Sequence, residues 1–284
     1  MALDYRTVKN WPFEPYVRQY TCEELMRFAM GFGAGLPGPL QAEDMRYIGE
    51  GCTEALPMVA VALADGEFWQ RDPRAGLNWK QIVHAEEAIT MHRPLPLEGT
   101  VIVERRVVEI FDRGVGKGAL VHEQQLLRDE CGVAIVSVDV LTVLRGDGGF
   151  GGSGEGAPRP RPVPGDCPPD ETIELVTPTA EAPLFALSSE FDVTASVLGA
   201  APTQRILRGM CAFGLAGRAV LKLACGNQGM RLRRLSVRYA GAMLTDETMR
   251  VELWHTGEGQ AAFRMHAIER DTPILHHCHL AFEV

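Results

Sequence analysis

Two short stretches of this sequence carry residue types that suggest ligand chemistry. His276, His277, Cys278 and His279 are consecutive candidates for metal ligands. Neighbouring residues on a strand point to opposite faces, so each face would carry only two of the four side chains. We therefore expect no metal site. The segment GGFGG at 148–152 resembles a phosphate-binding loop. It lacks the Gly-Lys-Ser/Thr that would follow and no helix begins there, so we expect no nucleotide site.

A third cluster is basic and consists of Arg231, Arg233 and Arg234. It stands in a chain of 28 basic and 37 acidic residues with a net charge of -9. Binding to nucleic acid generally needs a basic face that neutralises phosphates, so we expect no nucleic-acid partner. The cluster is either a solvated strand end or a phosphate contact.

The fourth stretch, Leu184 to Cys225, contains the clearest helix of the chain, over 209–225. Its apolar and small residues recur at helical spacing, although Gly214 and Gly217 lie inside it. Each interior glycine costs a helix about 1 kcal/mol relative to alanine. Something must therefore approach the backbone closely, either a neighbouring element of the protein or a substrate. Gly209 begins this helix, where free amides and the helix dipole favour a developing anion.

Length and composition limit the elements that could position these residues. The chain has 284 residues, of which 46% are hydrophobic and 23% charged, as in an ordinary globular protein of one or two domains. Seven cysteines show no metal-ligand spacing. The amino-terminal segment lacks the apolar run of a signal peptide, and no stretch is long enough for a membrane span. We therefore expect a cytoplasmic protein without a cofactor.

In the first half of the chain, the sequence pattern predicts helices followed by strands. Thr21 and Glu24 have capping-box spacing at the start of a helix over 20–33, and residues 54–64 predict a second, buried helix. Strands are predicted over 100–110, 117–128 and 133–144. Residues 146–170 then hold eight glycines and six prolines in 25 residues, which is the composition of a linker.

The second half repeats this order. The helix at 209–225 precedes strands predicted at 235–239, 249–253, 263–267 and 274–284, all with alternating apolar residues. The repetition predicts a duplicated α+β unit, an antiparallel sheet curled round a central helix and made twice. The predicted boundaries are a first domain at 1–145, a linker at 146–180 and a second domain at 181–284.

Several strings resemble the MaoC-like, (R)-specific enoyl-CoA hydratase family, also called type 2 hydratases, in its two-domain double hotdog form. In the first half they are YTCEELMRFAMGFGAG, IVHAEEAITMHRPLPLEGT at 82–100 and LRGDGGFGGSG at 144–154. In the second half they are ILRGMCAFGLAGRAVL and RLSVRYAGAMLTDETMRVELW. The resemblance covers essentially the whole chain and implies a double hotdog fold and addition of water to an enoyl thioester.

The hydratase motif itself is altered. The family has an Asp, then Asn-Pro, then a His five positions after the Asp, and these positions correspond here to Glu190, Asp192, Val193 and Ala195. Because the imidazole is missing, Glu190 is either a lone carboxylate base or half of a carboxylate pair with Asp192. The alternative is that both are solvated residues beside a decayed site.

The resemblance also implies roles for residues outside the motif. Gly209 matches the position whose backbone N–H serves as the oxyanion donor, and Arg208 replaces a His before it. Arg208 is either a contact for an acidic ligand group or a structural replacement. His84 and Glu86 either line the thioester tunnel or form a structural pair. With Gly214 they complete the expected substrate-binding set.

We therefore expect a hydratase or dehydratase acting on an enoyl-CoA or related acyl thioester, carried by CoA or an acyl-carrier protein, and a homodimer. One alternative is a catalytically silent acyl-thioester-binding protein or partner subunit. Another is altered lyase or isomerase chemistry on a polar thioester, with Arg208 contacting the substrate.

Overall fold

A single antiparallel sheet forms the frame of the protein in the computed structural model, which describes residues 3–179 and 203–284. Within those residues the sheet has ten strands. In chain order they are β1 (Tyr16–Tyr20), β2 (Ile82–Met91), β3 (Gly99–Asp112), β4 (Ala119–Arg128), β5 (Ala134–Leu144), β6 (Glu171–Val176), β7 (Leu232–Arg238), β8 (Thr248–Gly257), β9 (Gln260–Ala267) and β10 (Thr272–Phe282).

The strand order repeats between the two halves of the chain. Across the sheet it runs β1-β3-β4-β5-β2-β7-β10-β9-β8-β6. Read inward from the outer edge, the strands of the first half are β1, β3, β4, β5 and β2. Those of the second half, read inward from the opposite edge, are β6, β8, β9, β10 and β7. The two halves therefore have the same strand order. The α+β class predicted from the sequence is confirmed, and the helix-then-strands order does repeat, but each half also has an edge strand, β1 or β6, ahead of its main helices.

The halves join along β2 and β7. These strands pair antiparallel from Glu86 opposite Arg238 to Thr90 opposite Arg234. The strand β2 also pairs with β5 on its other side, and there the register shifts between His84 and Glu86. Such a bulge leaves one residue, Ala85, without a partner across the pair and redirects the side chains beside it.

Five α-helices lie within the described residues: α1 (Tyr5–Lys9), α2 (Cys22–Gly31), α3 (Gln41–Ile48), α4 (Ala60–Leu63) and α5 (Gly209–Cys225). The longest, α5, has the bounds predicted from the sequence and packs against β6, β7, β8 and β10. Most of its residues are buried, so it is the centre of the second half. It ends at Gly226, whose left-handed backbone (φ 58°) suits glycine.

The first half has no comparably long central helix among the described residues. The segment 54–64, predicted as one buried helix, is a 3₁₀ turn at Pro57–Val59 followed by the single-turn α4. Burial is as predicted, but the helix is shorter. The reason is Pro57, because the residue before a proline is disfavoured in a helix and Leu56 is extended.

The predicted linker, 146–180, also differs from expectation at its carboxyl end. The strand β6 lies inside it and pairs with β8 from Glu171 to Val176. Its alternating burial completes the outer edge of the second half. None of the described helices is long and apolar enough to cross a membrane.

Candidate functional site

The amino terminus of α5 lies where the second half meets β2 of the first. Arg208 is its N-cap residue, with an extended backbone, and its side chain makes no capping hydrogen bond. The first backbone amides of a helix have no acceptor within it. A cationic N-cap side chain cannot accept hydrogen bonds from these amides. This terminus is therefore suited to an anionic or strongly polarised oxygen.

Gly209 allows an aromatic ring to lie directly against that terminus. A Cβ atom at this position would be 3.3 Å from Cε1 and Cζ of Tyr239 and 3.5 Å from the phenolic oxygen. Contacts of 3.3 Å are tighter than ordinary van der Waals packing, so an alanine would displace the ring. The missing side chain therefore brings the hydroxyl of Tyr239 close to the first turn of α5.

Tyr239 is held in place by the first half of the chain. Its backbone N–H donates to the carbonyl of Ala85, the bulged residue of β2, at 2.9 Å. Its hydroxyl donates to Oε2 of Glu87 at 2.6 Å. Burial raises the pKa of Tyr239 well above its ordinary value, and the negative charge of Glu87 raises it further. The hydroxyl therefore stays protonated at neutral pH.

His84 and Glu86, predicted as substrate-binding residues or as a structural pair, lie beside this group with partners of their own. The ring of His84 is exposed and its centroid is 5.1 Å from that of Tyr239. Glu86 accepts from Nη1 of Arg238 at 2.5 Å. Among the described residues His84 and Glu86 make no hydrogen bond to each other, and the one lies against Tyr239 while the other binds Arg238.

Arg208, the other predicted ligand contact, forms a bridge between the halves. Its Nη2 atom donates to Oδ2 of Asp65 at 2.8 Å, just after α4. Both side chains are more than a third exposed. An exposed pair of this kind contributes at most about 1 kcal/mol. Arg208 can therefore exchange Asp65 for an anionic ligand group at small cost.

The two glycines inside α5 serve packing within the protein. A Cβ on Gly214 would lie 2.1 Å from Cγ of Phe32, and one on Gly217 would lie 2.4 Å from Cγ of Met58. Both of these side chains are completely buried. The element that approaches the backbone of this helix is therefore the first half of the chain. Phe32 occupies the space beside Gly214, the predicted substrate-binding residue, so Gly214 does not face a binding site.

The predicted catalytic carboxylates, Glu190 and Asp192, lie outside the described residues, as does Ala195. The segment that follows is described, and its approach to α5 is fixed. Ile206 forms a β-bridge with Leu244, and the N–H of Leu207 donates to the carbonyl of Met243 at 2.9 Å. These bonds determine where α5 begins.

The remaining motifs bind groups of the protein itself. Backbone amides of the GGFGG loop, at Gly149, Gly151 and Gly152, donate to the carboxylate of Asp112. His277 and His279 share a strand face, as predicted, and both contact the carbonyl oxygen of Arg161. In the part of the chain that is described, no group of three potential ligands is arranged to hold a metal ion.

The basic cluster predicted at the start of β7 is paired with protein groups. Arg233 binds the carboxylate of Glu283, and Arg231 donates to the backbone carbonyl of the same residue. Arg234 donates to Thr90 and Asp139 across the seam between the halves.

Two residues of the site were not identified from the sequence, Glu87 and Tyr239. Both lie within strings that carry the family resemblance, but neither stands at a position of the hydratase motif. The signal available was a glutamate followed directly by the apolar residues Ala88 and Ile89, since a carboxylate buried among apolar residues requires a hydrogen-bond donor nearby. Its donor is 152 residues away in the sequence.

Comparison with known proteins gives matches across both halves. A family model described as the MFE-2 hydratase 2 N-terminal domain matches residues 18–146, and one described as a MaoC like domain matches residues 191–276. The 3-hydroxyacyl-thioester dehydratase Y of Mycobacterium tuberculosis is 30% identical over 273 residues, which are 93% of this chain and 91% of the relative.

Solved structures agree on the fold. The crystal structure of a MaoC-like dehydratase from Phytophthora capsici superposes with a TM-score of 0.80 at 24% identity, covering 98% of both chains. A Mycobacterium tuberculosis protein described as having a double hotdog fold gives a TM-score of 0.51 at 14% identity, covering 95% of this chain and 96% of that one. The double hotdog expected from the sequence is confirmed. The chain belongs to the family of MaoC-like dehydratases and type 2 hydratases.

Proposed function

We propose that this protein interconverts an enoyl thioester and the corresponding 3-hydroxyacyl thioester by adding or removing water. The observation that carries the proposal is the amino terminus of α5, where Gly209 is the first helical residue and the side chain of the N-cap residue Arg208 makes no capping hydrogen bond. Addition of water places negative charge on the thioester oxygen as an enolate. Preorganised backbone amides stabilise such a charge best where water is excluded.

The substrate class follows from the family and from the site together. The dehydratase Y to which this chain is similar is named for 3-hydroxyacyl thioesters, and the family model for the first half is named for hydratase 2. The thioester is carried by CoA or by an acyl-carrier protein. Arg208, released from Asp65, supplies a cation for an acidic group of the ligand.

For the chemical step we assign Glu190 as the carboxylate that exchanges protons with the substrate, with Asp192 as its partner. A pair of neighbouring carboxylates shares one proton because two adjacent negative charges repel each other, so the pair can both give and take a proton. We further propose a homodimer in the cytoplasm.

Turnover by the purified protein tests this function. Short and long enoyl-CoA substrates, and the matching 3-hydroxyacyl-CoA, should each be converted, and Glu190→Gln should lower kcat by about 10²–10⁴-fold because general acid–base groups contribute that much. Undiminished activity in Glu190→Gln would remove the carboxylate from the mechanism. Absence of turnover with every chain length and in both directions would refute the function.

A catalytically silent acyl-thioester-binding protein or partner subunit is the second candidate. It is favoured by one observation, that Ala195 stands where the family has its imidazole. It predicts tight binding of enoyl-CoA without conversion, measured by calorimetry on the same samples.

A further inference from the structure

The side chains of Glu87 and Tyr239 form a short hydrogen bond between the two halves of the protein. The oxygens are 2.6 Å apart, within the range of a hydroxyl bonded to a charged carboxylate. Glu87 comes from β2 and Tyr239 follows the end of β7, so the bond crosses the seam of the sheet. Its position depends on the bulge at Ala85, whose carbonyl holds the backbone of Tyr239.

Glu87 is buried, with 7% of its surface exposed. Among residues 3–179 and 203–284 the hydroxyl of Tyr239 is its one hydrogen-bond donor. Buried carboxylates are normally held by several donors or by an opposite charge, because burial of a poorly compensated charge is costly. Within the described residues, a proton that moves onto this carboxylate along a hydrogen bond therefore comes from the phenol.

The Tyr239 oxygen also lies close to the first turn of α5. That oxygen lies 3.5 Å from the position a Cβ of Gly209 would occupy. A thioester oxygen bound by the Gly209 amide would thus bring its reacting carbons near the phenol. The phenolic oxygen keeps free lone pairs while it donates to Glu87, and these can accept a hydrogen bond from water.

We propose that Tyr239 is a further catalytic residue of this site, and that it passes the proton of the attacking water to Glu87. The inference rests on the proposed function and deepens it, since it supplies the acid–base group that Ala195 leaves missing. Geometry carries it: the distance from Glu87 to the phenol, and from the phenol to the start of α5.

The step balances as follows. The water oxygen bonds to the β-carbon of the enoyl thioester while one of its O–H bonds breaks. That proton moves to the oxygen of Tyr239, whose own proton moves to Oε2 of Glu87. The electron pair of the double bond becomes the enolate, whose oxygen the Gly209 amide stabilises. Protonated Glu190 then gives its proton to the α-carbon, and exchange with solvent restores both carboxyl groups.

Passing the proton through Tyr239 avoids forming a free phenolate. Burial and the charge of Glu87 raise the pKa of this phenol, so its simple ionisation next to the carboxylate is unfavourable. A transfer that receives one proton while releasing another never places two negative charges side by side. Glu87 is the final acceptor in this direction and the donor in dehydration.

The test compares Tyr239→Phe and Glu87→Gln with Tyr5→Phe as a matched control. Tyr5 also donates to a glutamate, Glu109 at 2.8 Å, on an exposed surface outside the site. Phenylalanine keeps the ring against Gly209, and glutamine can still accept the hydrogen bond but takes up no proton. We expect kcat for crotonyl-CoA hydration to fall about 10²–10³-fold in both site variants, with KM within about threefold and Tyr5→Phe unchanged.

Binding of butyryl-CoA, which has no double bond to hydrate, separates catalysis from structure. We expect its affinity to be unchanged in Tyr239→Phe. If butyryl-CoA binding falls together with turnover, Tyr239 shapes the site and the relay is wrong. If the unsubstituted protein hydrates crotonyl-CoA and Tyr239→Phe does so equally well, the relay is wrong but the proposed function stands. If the unsubstituted protein turns over no thioester, the function fails and the relay with it.

Discussion

At the scale of single residues, Arg218 and Asp44 form an ion pair in the interior, and each side chain is only 3% exposed. Nε of Arg218 donates to Oδ1 of Asp44 at 3.1 Å, and Nη1 donates to the carbonyl of Phe32 at the same distance. The pair fastens α3 and the end of α2 to the middle of α5. A charge buried at this depth is stable only while its partner is present.

We therefore expect Asp44→Asn to lower the free energy of unfolding by about 3–5 kcal/mol, because it leaves the guanidinium of Arg218 buried without a counter-charge. Chemical denaturation followed by circular dichroism measures the change. The neighbouring Glu43→Gln is the matched control, since Glu43 also pairs with α5, through Lys222, but at the surface. It should cost less than about 1 kcal/mol. Equal costs for the two variants would show that the buried pair contributes no more than an exposed one.

At the scale of elements, the GGFGG loop is held to the end of β3 by one carboxylate. Asp112 accepts backbone N–H groups from Gly149 at 2.7 Å, from Gly114 and Gly151 at 2.8 Å, and from Gly152 at 3.2 Å. The amides of this loop have the arrangement typical of a phosphate-binding site, but here they bind a side-chain carboxylate of the protein itself. Burial raises the pKa of Asp112, but these four donors outweigh that effect and hold the pKa below its ordinary value.

A lowered pKa in the folded state gives a definite pH dependence. The contribution of Asp112 to stability is complete above its unfolded pKa of about 3.9 and is lost as the pH falls through the lower folded value. We expect Asp112→Asn to be less stable than the unsubstituted protein at neutral pH, with the difference shrinking below about pH 4.

Urea denaturation at a series of pH values measures that difference. Glu155→Gln, at an exposed position in the same segment, is the control and should change stability little at any pH. A stability difference for Asp112→Asn that stays constant down to the acid transition would contradict the proposed role of the carboxylate.

Elements with local sequence signals could be predicted, whereas elements that depend on distant contacts could not. The helix at 209–225 was predicted with the correct bounds, because its periodicity and terminal glycine are local features. The strand β2 was recognised as a family segment but not as a strand, because His84, Glu86 and Glu87 hide its alternation. Those polar residues find their partners on and just after β7, far away in the chain. The sequence pattern places β6 in the linker because proline-rich sequence precedes it directly.

At the scale of the whole molecule, the site is assembled from both halves of the chain. The second half contributes the start of α5 and Tyr239, and the first contributes Glu87, His84 and the bulge at Ala85. The duplication was predictable because both halves repeat one order of elements. The proton-transfer pair was not, because it exists only where the two halves of the sheet join. Each half alone lacks part of the site.

The measurement that tests the central claim most directly asks whether the Gly209 amide stabilises the reacting thioester. It compares Gly209→Pro with Gly209→Ala. Proline removes the N–H at a first helical position that tolerates it, and the extended backbone of Arg208 suits a following proline. Both variants place a Cβ against the ring of Tyr239, so that part of the steric change is common to them.

We expect kcat/KM for crotonyl-CoA to be about 10²–10³-fold lower in Gly209→Pro than in Gly209→Ala, because loss of one oxyanion donor costs about that much. Folding of both variants is checked by circular dichroism. Equal kcat/KM values in two folded variants would contradict the claim that this amide holds the enolate oxygen.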